Sequence, residues 1–198
     1  MKFVGLLFLP FWFLLAAFPS PTLAQDGPET GGNEVGFWTS AGHGTNGRTQ
    51  HTTVWTAGFR YGWIITDPHG PSYLRGRFEY AMDAVPVYVF FQPTNTAYGV
   101  AVNPIALVWN FERRGRVVPF IDLDGGALFT NTQVPEGTTR INFTSGGGIG
   151  LHILAGKFTW TADVRFVHIS NGNLVTPNPG INTAQLRLGM GWFTHRRK

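Results

Sequence analysis

The sequence contains no cysteine. Disulfides, thiolate metal sites, a cysteine nucleophile and a lipoprotein anchor on an acylated cysteine are therefore excluded. Charged residues are scarce, at 13%. The formal net charge is only +4, and much of the excess sits in Arg196, Arg197 and Lys198. No basic stripe accompanies a recognition motif, so nucleic acid is not expected as a partner. Beyond Asn33 no apolar run reaches the roughly 18–20 residues that a spanning helix needs, and no helical periodicity is found. What the chain has instead is 15% aromatic residues and 26 glycines in 198 residues. That is too apolar and aromatic for disorder, and long enough for one domain.

The first residues read as an export signal. Lys2 supplies a positive start, "FVGLLFLPFWFLLAAF" the apolar stretch, and Thr22-Leu23-Ala24 a small-residue cleavage site. Pro10 interrupts the run and a polar, Gly-rich stretch follows, which argues against an anchoring helix. The expected organisation is a signal peptide at 1–24, a flexible periplasmic N-terminus at 25–33, a β-barrel at 34–193 and a basic C-terminal tail at 194–198.

Period-two alternation recurs in eight segments, most of them roughly ten to fifteen residues long, the pattern of transmembrane β-strands. The segments are 34–42, 52–66, 73–84, 98–111, 116–129, 140–154, 157–170 and 183–193. In the second, Trp55, Ala57, Phe59, Tyr61, Trp63 and Ile65 share one parity. Across segments three, five, seven and eight, Arg75, Arg77, Glu79, Asp122, Asp124, Asp163, Arg165 and Arg187 take the parity opposite the bulky apolar residues. A soluble sandwich shows the same alternation. The tryptophans decide between the two: Trp55, Trp63, Trp109, Trp160 and Trp192 lie on the apolar parity, mostly towards segment ends, as interfacial girdles do. An eight-stranded barrel has a lumen just wide enough for packed side chains, where opposite charges pair. Closure also satisfies every backbone group in lipid. The connections are expected to alternate short and long, with the longest around 85–97. The sequence therefore predicts an all-β, eight-stranded antiparallel transmembrane barrel in the bacterial outer membrane, reached by Sec-type export.

The stretch "VRFVHISNGN" (164–173) breaks the pattern. Val164, Phe166, His168 and Ser170 share one parity, so two polar side chains fall on the lipid-facing side at the strand's end. Residues two apart on a strand stand about 6.6 Å apart on one face, within reach of a leaning imidazole. Extending the outward parity of segment eight back by one step lands on Asn182. A Ser, a His and a carboxamide then converge on the barrel exterior. One reading is a Ser–His hydrolase acting on a membrane lipid. The other is a strand end entering the headgroup zone, where polar residues cost little.

The region "RFVHISNGNLVTPNPGINTAQLRLGMGW" (165–192) resembles the active-site region of the PagL-type lipid A 3-O-deacylases, eight-stranded outer-membrane barrels. The shared pattern is Arg-x-x-His-x-Ser-Asn, a loop rich in Pro, Asn and Gly that contains Asn-x-Gly, and a last strand with Leu-x-Leu-Gly. The resemblance implies Ser170 as nucleophile and His168 as general base. It implies Asn171 as oxyanion donor, with backbone N–H groups near Gly172 and Asn173, and Arg165, Asn178 and Gly180 as supporting motif positions. The implied substrate is lipid A, or lipopolysaccharide, in the outer leaflet, deacylated at the 3-position without cofactor or metal. The sequence is compatible with a homodimer. One position departs: the family places a Glu after Gly-Ile, and this chain has Gly180-Ile181-Asn182. An amide can accept the Nδ1–H bond and orient a histidine, but it stabilises the imidazolium less than a carboxylate. The alternative to a lipid esterase is a non-catalytic barrel with a structural or adhesion role, weakened by Asn182. A soluble periplasmic lipid-binding protein is the third reading.

Other signals carry less. "SGGGIG" (145–150) followed by Gly156-Lys157 has the wrong spacing for a phosphate loop, and glycines lining a narrow barrel explain it. His43, His51 and His69 lack carboxylates at ligand spacing. "Asn142-Phe143-Thr144" is a formal glycosylation acceptor placed mid-strand.

Overall fold

The computed structural model describes residues 27–45 and 47–194. The expected signal peptide and the tail from 195 onward lie outside the described residues.

Eight strands follow one another: β1 (Asn33–Gly44), β2 (Thr53–Ile64), β3 (Gly76–Phe91), β4 (Thr96–Phe111), β5 (Val117–Thr130), β6 (Ile141–Ala155), β7 (Phe158–Ser170) and β8 (Ile181–Thr194). Each pairs antiparallel with its neighbour, and β1 pairs with β8 to close the barrel. The alternation of the sequence maps directly onto its two surfaces. Outward side chains are large and apolar, and they remain uncovered: Leu123 is 64% exposed, Ile149 62% and Val164 57%. A continuous apolar exterior of this kind has no counterpart on a monomeric soluble protein, whereas a closed sheet carries it through lipid with every backbone group paired.

At mid-height the lumen pairs three arginines with four aspartates. Arg60 grips Asp83 through two bonds of 2.9 and 2.8 Å. Arg187 reaches Asp163 at 2.5 Å and Asp122 at 2.8 Å. Arg165 is bonded to Asp124 and lies 3.7 Å from both Asp122 and Asp163. Desolvated charges persist only when paired in this way. The glycines of "SGGGIG" make room for the network: a Cβ on Gly148 would come 3.0 Å from Asp122 Oδ1, and one on Gly150 would come 2.5 Å from Asp163 Cβ.

Apolar plugs close the lumen at both ends. Tyr88 and Phe90 stack at 4.6 Å within a cluster that includes Val54, Leu128, Ile169 and Ile181. Ile64, Val118, Leu154 and Phe193 fill the end that carries the termini.

Three expectations are corrected. The stretch up to 33, expected to be flexible, is docked over its described part: Gly27 and Pro28 are buried, and the N–H of Gly31 bonds to the Ile64 carbonyl at 2.8 Å. The region 85–97, expected as the longest connection, is mostly strand. β3 continues to Phe91 and β4 starts at Thr96, with irregular pairing between Val85 and Tyr88 around Pro86. The longer connection is 65–75, between β2 and β3. Alternating apolar residues propagate a strand regardless of one proline placed where the ladder is already broken. Finally, Arg75 is not in the lumen. The chain turns through Ser72–Leu74 before β3 begins, and Arg75 pairs with Glu112 on the barrel rim.

Candidate active site

β7 ends at Ser170, at the opposite end of the barrel from the termini. On this strand Asp163, Arg165, Val167 and Ile169 are buried in the lumen, while Val164 and Phe166 stand exposed outside. His168 and Ser170 continue the outward row and are half-buried. β8 pairs with β7 so that Asn182 lies directly across from His168. Their side chains meet: His168 Nδ1 and Asn182 Oδ1 are 2.7 Å apart. The amide oxygen can only accept, so Nδ1 carries the proton and Nε2 presents its lone pair. Among the described residues Nε2 makes no hydrogen bond, and neither does Ser170 Oγ. Serine and histidine thus share a face without being joined; such bonds are often loose in unliganded sites and tighten around substrate.

Asn182 is fixed from behind, because its backbone carbonyl accepts the Thr45 N–H at 2.8 Å. Asp163 offers the histidine no substitute acid. It is buried in the lumen and bonded to Arg187. Arg165, from the same motif, is likewise committed to the lumen network. Its place in the motif is explained by the barrel rather than by contact with a substrate outside it.

The 171–180 loop is held by its asparagines. Asn171 is 1% exposed, and its amide donates to the carbonyl of Val175 at 2.8 Å and that of Pro177 at 3.5 Å. Its backbone N–H donates to Asn178 Oδ1 at 3.1 Å, while Asn178 Nδ2 donates to Asn173 Oδ1 at 2.9 Å. The Asn171 donors expected to face an oxyanion are therefore engaged in shaping the loop. Gly172 and Asn173 both have φ of 62°, and the Leu174 N–H closes back on the Asn171 carbonyl at 3.1 Å. Two successive left-handed residues make the tight turn for which Gly and Asn are suited. Among the described residues their N–H groups make no hydrogen bond. They are the donors adjacent to Ser170 that remain available.

Gly180 sits against the imidazole. Its φ is +64°, and a Cβ there would come 2.9 Å from His168 Cε1. Sequence reasoning missed Ser145. It faces outward on β6, directly across from His168 in the register. Its parity was readable, but its height on the wall depends on the β6–β7 register.

The lipid A 3-O-deacylase (PagL) family model matches residues 38–191. A search of curated protein sequences returns no match. Among solved structures, the chain is similar to the outer membrane enzyme PagL, with a TM-score of 0.62 and 20% identity over 78% of this chain and 97% of that one. It is also similar to the outer membrane protein OprG from Pseudomonas aeruginosa (TM-score 0.52, 10% identity, covering 85% and 98%). Neisserial surface protein A gives a TM-score of 0.55 at 11% identity, covering 82% and 97%. At these identities the structural likeness is one of fold.

Proposed function

The chain belongs to the lipid A 3-O-deacylase (PagL) family, and from that premise we propose that it is an outer-membrane esterase that removes the 3-O-linked acyl chain of lipid A. The observation that carries the reading is the 2.7 Å contact between His168 Nδ1 and Asn182 Oδ1 on the lipid-facing wall, with Ser170 two residues further along the same row. A soluble hydrolase has no reason to hold a base and a hydroxyl on the outside of a closed sheet. An enzyme whose ester lies beside a glucosamine headgroup does.

In the proposed reaction Nε2 of His168 takes the proton of Ser170 Oγ as the oxygen attacks the ester carbonyl. The oxyanion is met by the N–H groups of Gly172 and Asn173. Collapse expels the sugar 3-oxygen, which takes the proton from His168 and leaves Ser170 acylated. Water, deprotonated by the same nitrogen, then releases the fatty acid and restores the serine. Asn182 keeps the histidine in the tautomer that can act as base throughout, but supplies no negative charge to the imidazolium.

One observation favours a second reading, a barrel without catalysis: the position opposite His168 is an amide. Mass spectrometry of lipid A from cells expressing the protein or its Ser170→Ala form separates the two. Loss of one ester-linked acyl chain with the protein and its retention with Ser170→Ala support the esterase. Equal lipid A in both samples refutes it.

A further inference from the structure

Two glycines of the 171–180 loop each back onto a ring. Gly180, at its end, meets the His168 imidazole. Gly172, at its start, meets Phe143: a Cβ there would come 3.2 Å from both Cδ2 and Cε2 of the phenyl ring. No other described residue, its chain neighbours aside, lies within 4 Å of that point. Among the described residues Phe143 is thus the one wall on that side of the turn that follows Ser170.

Register puts the ring there. Phe143 is an outward residue of β6, directly across from Ser170 on β7. Gly172 is one diagonal step further on, and diagonal neighbours about 7–8 Å apart remain within reach of an aromatic side chain. On the other side β5 sets only Ala127 beside it, so no bulky neighbour competes for the ring. The platform is firm. The preceding residue, Asn142, is fully buried, and its amide donates to the Val134 carbonyl at 2.8 Å.

The turn is a place where such a wall matters. Gly172 and Asn173 both hold a φ of 62°, closed by the single bond from the Leu174 N–H to the Asn171 carbonyl. From within the loop, Asn178 steadies it by accepting from the Asn171 N–H and donating to Asn173 Oδ1. On the side of the barrel wall the Phe143 ring packs on it. A side chain at 172 would have to displace that ring, so the glycine serves both the left-handed backbone and the contact.

We infer that Phe143 is a positioning residue for the reaction: by packing on Gly172 it holds the Gly172 and Asn173 N–H groups where the oxyanion forms. The inference rests on the esterase reading above. The ring moves no proton and forms no bond. Donors stabilise an oxyanion only when they already stand where its charge develops. That charge exists only in the transition state, so loss of the ring acts on kcat and leaves KM alone. A phenyl that served only to grease the path of an acyl chain would do the reverse.

The test measures deacylation of lipid A in mixed micelles by the full-length protein and by its Phe143→Ala, Phe143→Tyr and Phe129→Ala forms. Phe143→Ala is expected to lower kcat about tenfold at unchanged KM, a part of the roughly 10²–10³ that loss of an oxyanion donor costs. Phe143→Tyr keeps the ring and is expected to retain the wild-type kcat. Phe129→Ala removes another exposed phenyl, 48% exposed on the outer face of β5, and is expected to match wild type. A raised KM at unchanged kcat in Phe143→Ala, or equal losses in Phe143→Ala and Phe129→Ala, would overturn the inference. A second measurement needs no turnover. The amide order parameters of Gly172 and Asn173 are expected to fall from about 0.85 to below about 0.6 in Phe143→Ala, and to hold in Phe129→Ala. Unchanged values in Phe143→Ala overturn the inference. A native protein that leaves lipid A intact would be a failure of the esterase reading, and the order parameters alone then decide whether the ring holds the turn. Should Phe143→Ala lose the heat-modifiable gel mobility of a folded barrel, Phe143→Leu takes its place in both measurements.

Discussion

Gly180 packs its backbone against the His168 ring, so close that a Cβ would lie 2.9 Å from Cε1. The contact makes a loop glycine the back wall of the imidazole. It also ties the end of the 171–180 loop to the histidine it follows in space.

Gly180→Ala is therefore expected to damage activity more than stability. The left-handed conformation costs an alanine about 1–2 kcal/mol, and the added methyl displaces the ring. A shift of about 1 Å in a catalytic group lowers rates by roughly a hundredfold. Initial rates of lipid A deacylation, with heat-modifiable mobility as the check on folding, measure this. Wild-type rates in Gly180→Ala would show that the contact does not position the histidine.

Asn182→Glu is expected to raise the rate at least about tenfold, towards the roughly 10⁴ that separates acid from amide in serine protease triads. Asn182→Leu removes the acceptor for Nδ1–H and is expected to lower the rate by about tenfold or more. Deacylation time courses of the two variants check both directions. Full activity in Asn182→Leu would remove Asn182 from the mechanism.

Arg187→Leu strips Asp163 and Asp122 of bonds at 2.5 and 2.8 Å inside the lumen. Arg60 stays 3.4 Å from Asp122 and Arg165 3.7 Å from both, so the cost falls at or below the low end of the about 3–5 kcal/mol that breaking a buried pair takes. The midpoint of urea unfolding, followed by the gel shift of the folded barrel, is expected to fall accordingly. A midpoint equal to wild type would mean that the lumen charges relax without penalty.

Val164→Arg places a charge at mid-height on the outer wall, on a residue 57% exposed. In a bilayer this costs about 2–4 kcal/mol near the midplane. Unfolding from phospholipid vesicles measures it. No destabilisation there would argue that this surface meets water rather than lipid.

The barrel was legible because its determinants are local. Strands put neighbouring side chains on opposite faces, so Val164 and Phe166 against Asp163 and Arg165 announce lipid on one side and a paired lumen on the other without any knowledge of the fold. His168 and Ser170 stood out for the same reason, as polar residues on the wrong parity. Other features depend on which strands meet and at what height, and one sequence does not state that. Parity already pointed Asn182 outward, but register set its height and that of Ser145 on either side of His168, and only the folded loop engages the Asn171 amide within itself. The β3–β4 pairing alone brought Arg75, from one connection, beside Glu112 of another. Periodicity fixes the face a residue takes; only the register between paired strands fixes its neighbours.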